Sequence, residues 1–186
     1  MENSLIRVQT IIPGIAEHLV YATPQNFTGV AVYPPSAVAF LQRNVAERVK
    51  RVQIALQRKG LALKIYDAYR PLSVQKKFWE LVPDPRYVGD PAVGSKHNRG
   101  AAVDVTLIDE RGKELPMPSE FDDFSERAHR RFQGCEEERL HNREILQAAM
   151  EEAGFLIDRV DDTEWWHFED PDWAGYPLLD TPFEAL

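Results

Sequence analysis

The stretch SKHNRGAAVDVT, Ser95 to Thr106, carries an imidazole at His97 and a carboxylate at Asp104, seven positions apart. Near the other end of the chain, TEWWHFED carries a second imidazole at His167, three residues after a carboxylate at Glu164. Two imidazoles and one carboxylate, His97, Asp104 and His167, have the stoichiometry of a catalytic zinc site. Three protein ligands leave the fourth tetrahedral position open for water, whereas a structural site closes on four. Zinc lowers the pKa of bound water to about 7, yet attack on an amide still needs a carboxylate to accept the proton. Glu164 is the candidate for that general base. The helical motif H-E-x-x-H occurs nowhere in the chain, which excludes a protease of that type. The remaining histidines, His18, His129 and His141, lie in charged or loop-like stretches and are read as surface residues.

Positioning these groups is a matter of period. Val103, Val105 and Leu107 alternate with Ala102, Asp104 and Thr106, so a strand should turn Asp104 away from its apolar face. A regular strand would put Glu164 and His167 on opposite faces. Both can reach one water only if the chain bends near Glu164, which is therefore expected on a loop entering a short strand that Pro171 closes. LALKIYDAYRP alternates as a second strand, ended by Pro71, which keeps Arg70 extended. SVQKKFWEL reads as a short helix, and VPDPRYVGDPAVG as a loop delivering the chain to His97. Val38, Leu41, Val45, Val49, Val52 and Leu56 recur at spacings of three and four, which predicts a helix from a cap at Ser36 to a stop at Gly60. A further helix is predicted over Glu136 to Ala153, stopped by Gly154, and Trp165 and Trp166 are read as strand packing.

The chain has 186 residues, no internal repeat and no Gly/Ser linker, so one domain over 1–186 is expected, large enough to fold without a staple. A metal would then serve chemistry more than folding. The net charge of −8 opposes phosphate backbones and anionic lipid, so no nucleic acid or membrane partner is expected. MENSLIRVQTIIPGI lacks the pattern of a signal peptide and no later run approaches a membrane span, which makes the cytoplasm the expected compartment. Cys135, the single cysteine, can form no internal disulfide and has no Cys/His nucleophile arrangement around it. NFTG is read as a turn.

SKHNRGAAVDVTL followed by EWWHF resembles the zinc D,D-peptidase superfamily, whose signatures are Ser-x-His-x(6)-Asp and Glu-x-x-His. Within it the chain is most similar to the D-alanyl-D-alanine dipeptidases, the family that includes the enzymes of vancomycin resistance. YATPQNFTG, YDAYRP and PMPSEFDDFSERAH extend the similarity over nearly the whole chain, in the family's order. The resemblance implies one zinc per chain on His97, Asp104 and His167, with Glu164 as general base and Arg70 stabilising the tetrahedral oxyanion. A guanidinium, with fixed and permanently charged donors, suits that task. The plain alternative for Arg70 is a surface ion pair with a nearby carboxylate such as Asp67, whose own role is open. Asp122 matches the carboxylate that receives the substrate's amino group, with Asp123 one register step away, and Ser95 and Tyr21 match substrate-side positions. The implied fold is a single α+β domain, a small and largely antiparallel sheet with helices on one side and zinc on its open face, with which the predicted elements are compatible. The implied reaction is hydrolysis of D-Ala-D-Ala, a small dipeptide, to two D-alanines. A zinc D,D-carboxypeptidase or peptidoglycan endopeptidase of the same superfamily is the nearest alternative, and a zinc-binding module without turnover a more distant one. The intact Glu164 and Arg70 disfavour the last.

Overall fold

A computed structural model of the chain describes residues 5–157 and 162–186. Through these residues run β1 (Leu5–Arg7), α1 (Val8–Ile11), β2 (Ala16–Glu17), β3 (Phe40–Gln42), α2 (Arg43–Gln57), β4 (Leu61–Asp67), α3 (Leu72–Leu81), β5 (Ala102–Asp109), α4 (Glu137–Glu152) and β6 (His167–Glu169). The main sheet has the order β2-β4-β5-β6. Only the β2–β4 pair is parallel, and β1 with β3 forms a separate antiparallel ribbon. The fold is thus α+β with a largely antiparallel sheet, as the resemblance implies and the predicted elements allow.

Period-two alternation decides what each face of the sheet buries. Leu63, Ile65, Val103, Val105 and Leu107 are fully buried; they belong to the core into which α2, packed on β4, and α4, packed on β5, also bury their apolar stripes. Those stripes supply Val45, Val49, Val52 and Leu56 from α2 and Leu146 and Met150 from α4, all without exposure. Each such side chain contributes roughly 1.5–3 kcal/mol of burial, which must offset the entropy of ordering the chain. The opposite face carries Asp104 and Thr106, and connecting segments wall it instead of those helices, with Gln75 and Phe78 of α3 buried at its margin. None of the described helices is long and apolar enough to cross a membrane.

The helix expected from Ser36 begins only at Arg43. Phe40–Gln42 is extended because the backbone there is paired twice over. It lies against β1, Gln42 N–H donates to Gly100 O and Phe40 O accepts from Tyr69 N–H. Leu41 is fully buried in that strand, so its place in the three-four pattern reports burial and not helix. α4 ends as predicted: Gly154 takes φ +88°, its N–H meets Glu151 O and the next N–H, of Phe155, meets Met150 O. This is a Schellman closure, open to glycine because its φ is left-handed.

One irregularity sets up the site. Ile65 pairs with Val105, but Asp67 pairs with Asp104, so Tyr66 is one residue extra in β4 and forms a bulge. Asp104 in turn pairs with His167 of β6. The bulge thereby brings Asp67, Asp104 and His167 into one row across three strands.

Candidate active site

His97 reaches this row from a single 3-10 turn, His97–Arg99, which ends at Gly100. Gly100 has φ +63°, and a Cβ there would stand 2.4 Å from Leu5 Cδ2, so the turn into β5 is closed to other residues without a shift. The result is convergence of three donor atoms. His167 Nδ1 lies 3.0 Å from Asp104 Oδ1 and 3.1 Å from His97 Nε2, and His97 Nε2 lies 3.3 Å from Asp104 Oδ1. Bonds of about 2.0–2.1 Å in tetrahedral directions place ligand atoms about 3.3 Å apart, close to this spacing.

The outer nitrogens settle which lone pairs face inward. His97 Nδ1 is 2.6 Å from Ala68 O, a group that only accepts, so Nδ1 carries the hydrogen and Nε2 presents its lone pair. His167 Nε2 donates to Glu169 Oε1 at 3.1 Å, and Lys96 Nζ meets the same oxygen at 2.9 Å. Two imidazole lone pairs and a carboxylate oxygen thus point at one place, which calls for positive charge. With protons alone to supply it, burial opposes the imidazolium of His167, but the Asp104 and Glu169 carboxylates outweigh burial and push His167 up to about 10. Burial opposes the ionised form of Asp104 too, and His97 and His167 hold it well below the carboxylate range. These three residues could hold a metal ion, with both outer imidazole nitrogens already anchored.

Glu164 stands on the irregular segment before β6, and Trp165–Trp166 form the turn that separates it from His167. The expected bend is therefore present. The two tryptophans are buried as read, but in the turn and not in the strand: Trp165 N–H donates to Ala128 O and Trp166 O accepts from Val105 N–H. Glu164 lines the same cleft as the three donor residues, Arg70 and Asp122. Burial pushes its carboxyl up to about 8, with His167 pulling downward and the charges of Asp104 and Asp122 pushing further up. Such a group can both take and return a proton near neutral pH.

Arg70 is buried, so the surface ion pair is not its setting. Its Nε and one Nη meet Asp67 Oδ2 at 3.1 and 2.7 Å, and its other Nη donates to Gln75 Oε1 at 2.8 Å. The guanidinium lies 4.7 Å from the Phe78 ring centre and 5.3 Å from that of Tyr21. Asp67 also accepts from Tyr33 Oη at 2.9 Å. Asp67 therefore orients Arg70, and the ion pair and the cleft-facing guanidinium are one arrangement.

Asp122 also faces the cleft, in a left-handed conformation at φ +60° that aspartate tolerates better than most residues. Tyr21 Oη donates to its Oδ1 at 2.9 Å, and burial, reinforced by Asp104, pushes the carboxyl up to about 7 against that hydrogen bond. Asp123 instead accepts from Ser125 N–H in a turn, which places Asp122 and not its neighbour in the wall. Tyr21 lines the cleft as well, as the hydrogen-bond donor to Asp122. Ser95 lines the cleft and its Oγ accepts from His97 N–H at 3.2 Å, bracing the turn that carries His97.

Sequence reasoning missed Glu169, Lys96, Gln75 and Tyr33. Glu169 alone left a signal, since period two puts it on the face of His167. The others arrive from segments whose meeting no local pattern encodes. Of the histidines read as surface residues, His18 and His141 are exposed, but His129 is half-buried.

An α+β domain that gathers three side chains able to hold a metal ion, a buried carboxyl and an oriented guanidinium on the open face of its sheet has the parts of a metal-dependent hydrolase. Comparison with known families makes this definite: a family model for M15 peptidases, described as D-ala-D-ala dipeptidase, matches residues 1–185, and the chain belongs to that family. It is a peptidase. The chain is 41% identical over 184 residues to a D-alanyl-D-alanine dipeptidase of Escherichia coli strain K12, covering 99% of this chain and 93% of the relative. A protein of the same name from Enterococcus faecalis strain V583 is 30% identical over 204 residues, covering 98% and 95%.

Proposed function

We propose that residues 1–186 act as one domain that hydrolyses D-Ala-D-Ala to two D-alanines in the cytoplasm, with one zinc on His97, Asp104 and His167. The observation that supports this best is that the three converging donor atoms share a cleft with Glu164, Arg70 and Asp122. The names of the relatives supply the substrate. Two imidazoles and one carboxylate suit zinc, which when bound acidifies water and polarises a carbonyl.

The protein's own groups then divide the work. Glu164 accepts the proton of the attacking water and returns it to the leaving amine. Arg70, held by Asp67 and Gln75, directs its remaining N–H groups at the oxygen on which charge develops. Asp122 receives the ammonium of the dipeptide, one residue from the scissile amide. The purified protein should contain about one equivalent of zinc, and His97→Ala and His167→Ala should each lose most of it. Full retention of metal in both variants would end the assignment. Free D-alanine should be released from D-Ala-D-Ala far faster than from its N-acetylated form or a pentapeptide. Equal rates on the acetylated substrate would instead indicate a carboxypeptidase.

Arg70→Lys tests the oxyanion role. A flexible ammonium cannot hold Asp67, Gln75 and a developing charge together, so kcat should fall with little change in KM. Unchanged kcat with raised KM would move Arg70 to binding of the substrate carboxylate.

A further inference from the structure

β6 is the last strand of the sheet, and such a strand turns alternate carbonyls outward to other partners; that of Glu169 is taken by the N–H of Leu156. Trp166 O points inward and is taken by Val105 N–H of β5. Trp165 O and His167 O point the other way. Both are met by one side chain, Arg130: its Nη1 donates to Trp165 O at 3.3 Å and its Nη2 donates to His167 O. The backbones run together as well, with Trp165 N–H donating to Ala128 O and Arg130 N–H to Asp162 O, both at 3.0 Å. The guanidinium is buried, with its centre 4.6 Å from that of the Phe168 ring. Its fork continues the outer side of β6 beyond the Leu156–Glu169 bridge, and it spans the turn between Glu164 and His167.

We propose that Arg130 is a positioning residue that fixes Glu164 and His167 in phase, so that base and metal ligand face the same point. The proposal rests on the functional reading above for the roles of those two residues. Its physical basis is geometric. Two carbonyls two residues apart can be bridged by a planar fork with separate donors, whereas a lysine ammonium concentrates its donors at one atom. Burial is unfavourable for this cation, and it lowers Arg130 to about 10 even with Asp162 and Glu164 nearby. A neutral side chain would fill the space without that cost, but it would release the turn.

The test is Arg130→Lys, with Arg143→Lys as control. Arg143 is also buried and donates to two carbonyls, of His129 and Phe132, which flank Arg130 but do not belong to the turn between Glu164 and His167. Both variants should lose stability. Only Arg130→Lys should lower kcat by about 10–100-fold with KM within about threefold, weaken zinc in competition with a chelator, and alter the visible spectrum of the cobalt-loaded protein. Should Arg130→Lys fail to fold, Arg130→Gln, which can reach one carbonyl, serves for the same comparisons. A variant with wild-type kcat, zinc affinity and cobalt spectrum would overturn the proposal, as would an equal fall in kcat in the Arg143 control. Absence of dipeptide hydrolysis in the wild type would end the functional reading instead, and zinc affinity with the cobalt spectrum would still decide the role of Arg130.

Discussion

Glu164→Gln is expected to keep its zinc and its fold while kcat on D-Ala-D-Ala drops by at least about 10²-fold, the lower end for a positioned acid/base group. The amide has nearly the same shape but cannot take a proton from water. Stability should move the opposite way. In the unfolded chain this carboxyl ionises near its ordinary value of 4.5, whereas burial delays ionisation in the fold to about 8. A raised carboxyl pKa means that the unfolded chain holds fewer protons through this window, so the native protein loses stability as pH rises from 4.5 towards 8. Glutamine removes that penalty. Metal-free Glu164→Gln should therefore resist urea better than metal-free wild type at pH 8 and equally near pH 4. A variant that loses zinc and regains activity when zinc is added back would make Glu164 a ligand or a neighbour of one, and the base would have to be sought elsewhere.

Much of this site was legible because its parts come from strands, where period two translates directly into faces. The alternation through Asp104 showed that it leaves the apolar side, and the odd spacing from Glu164 to His167 required the bend that Trp165 and Trp166 make. Pairing information was not legible. Nothing in LALKIYD shows that Tyr66 is a bulge, yet only the bulge sets Asp67 opposite Asp104. The false start of α2 has the same origin, since Leu41 is buried through pairing with β1 and happens to fall in helical spacing. Arg70 and Asp122 entered through resemblance, because a lone arginine before proline and a lone aspartate in a loop carry no period. What the fold adds is their support: Asp67 and Gln75 on one, Tyr21 on the other.

Asp122→Asn should separate two substrates that differ by one acetyl group. In the free protein burial pushes the Asp122 carboxyl up to about 7, opposed by Tyr21 Oη and reinforced by Asp104, so it gains its charge most readily when a cation arrives. The ammonium of D-Ala-D-Ala is such a cation, and the two form a pair shielded from water. Removing one partner of a buried pair costs about 3–5 kcal/mol, which corresponds to roughly 10²- to 10⁴-fold in kcat/KM. The acetylated dipeptide brings no charge, and its amide meets the substituted side chain no worse than it met the acid, so its slow rate should hardly change. The ratio between the two substrates should collapse towards one. The left-handed backbone at φ +60° is open to asparagine as to aspartate, so the substitution changes charge without forcing the loop to move. If both rates fall by the same factor, Asp122 supports the cleft wall through Tyr21 and reads no ammonium. Dipeptide selectivity would then have to come from the shape of the cleft alone.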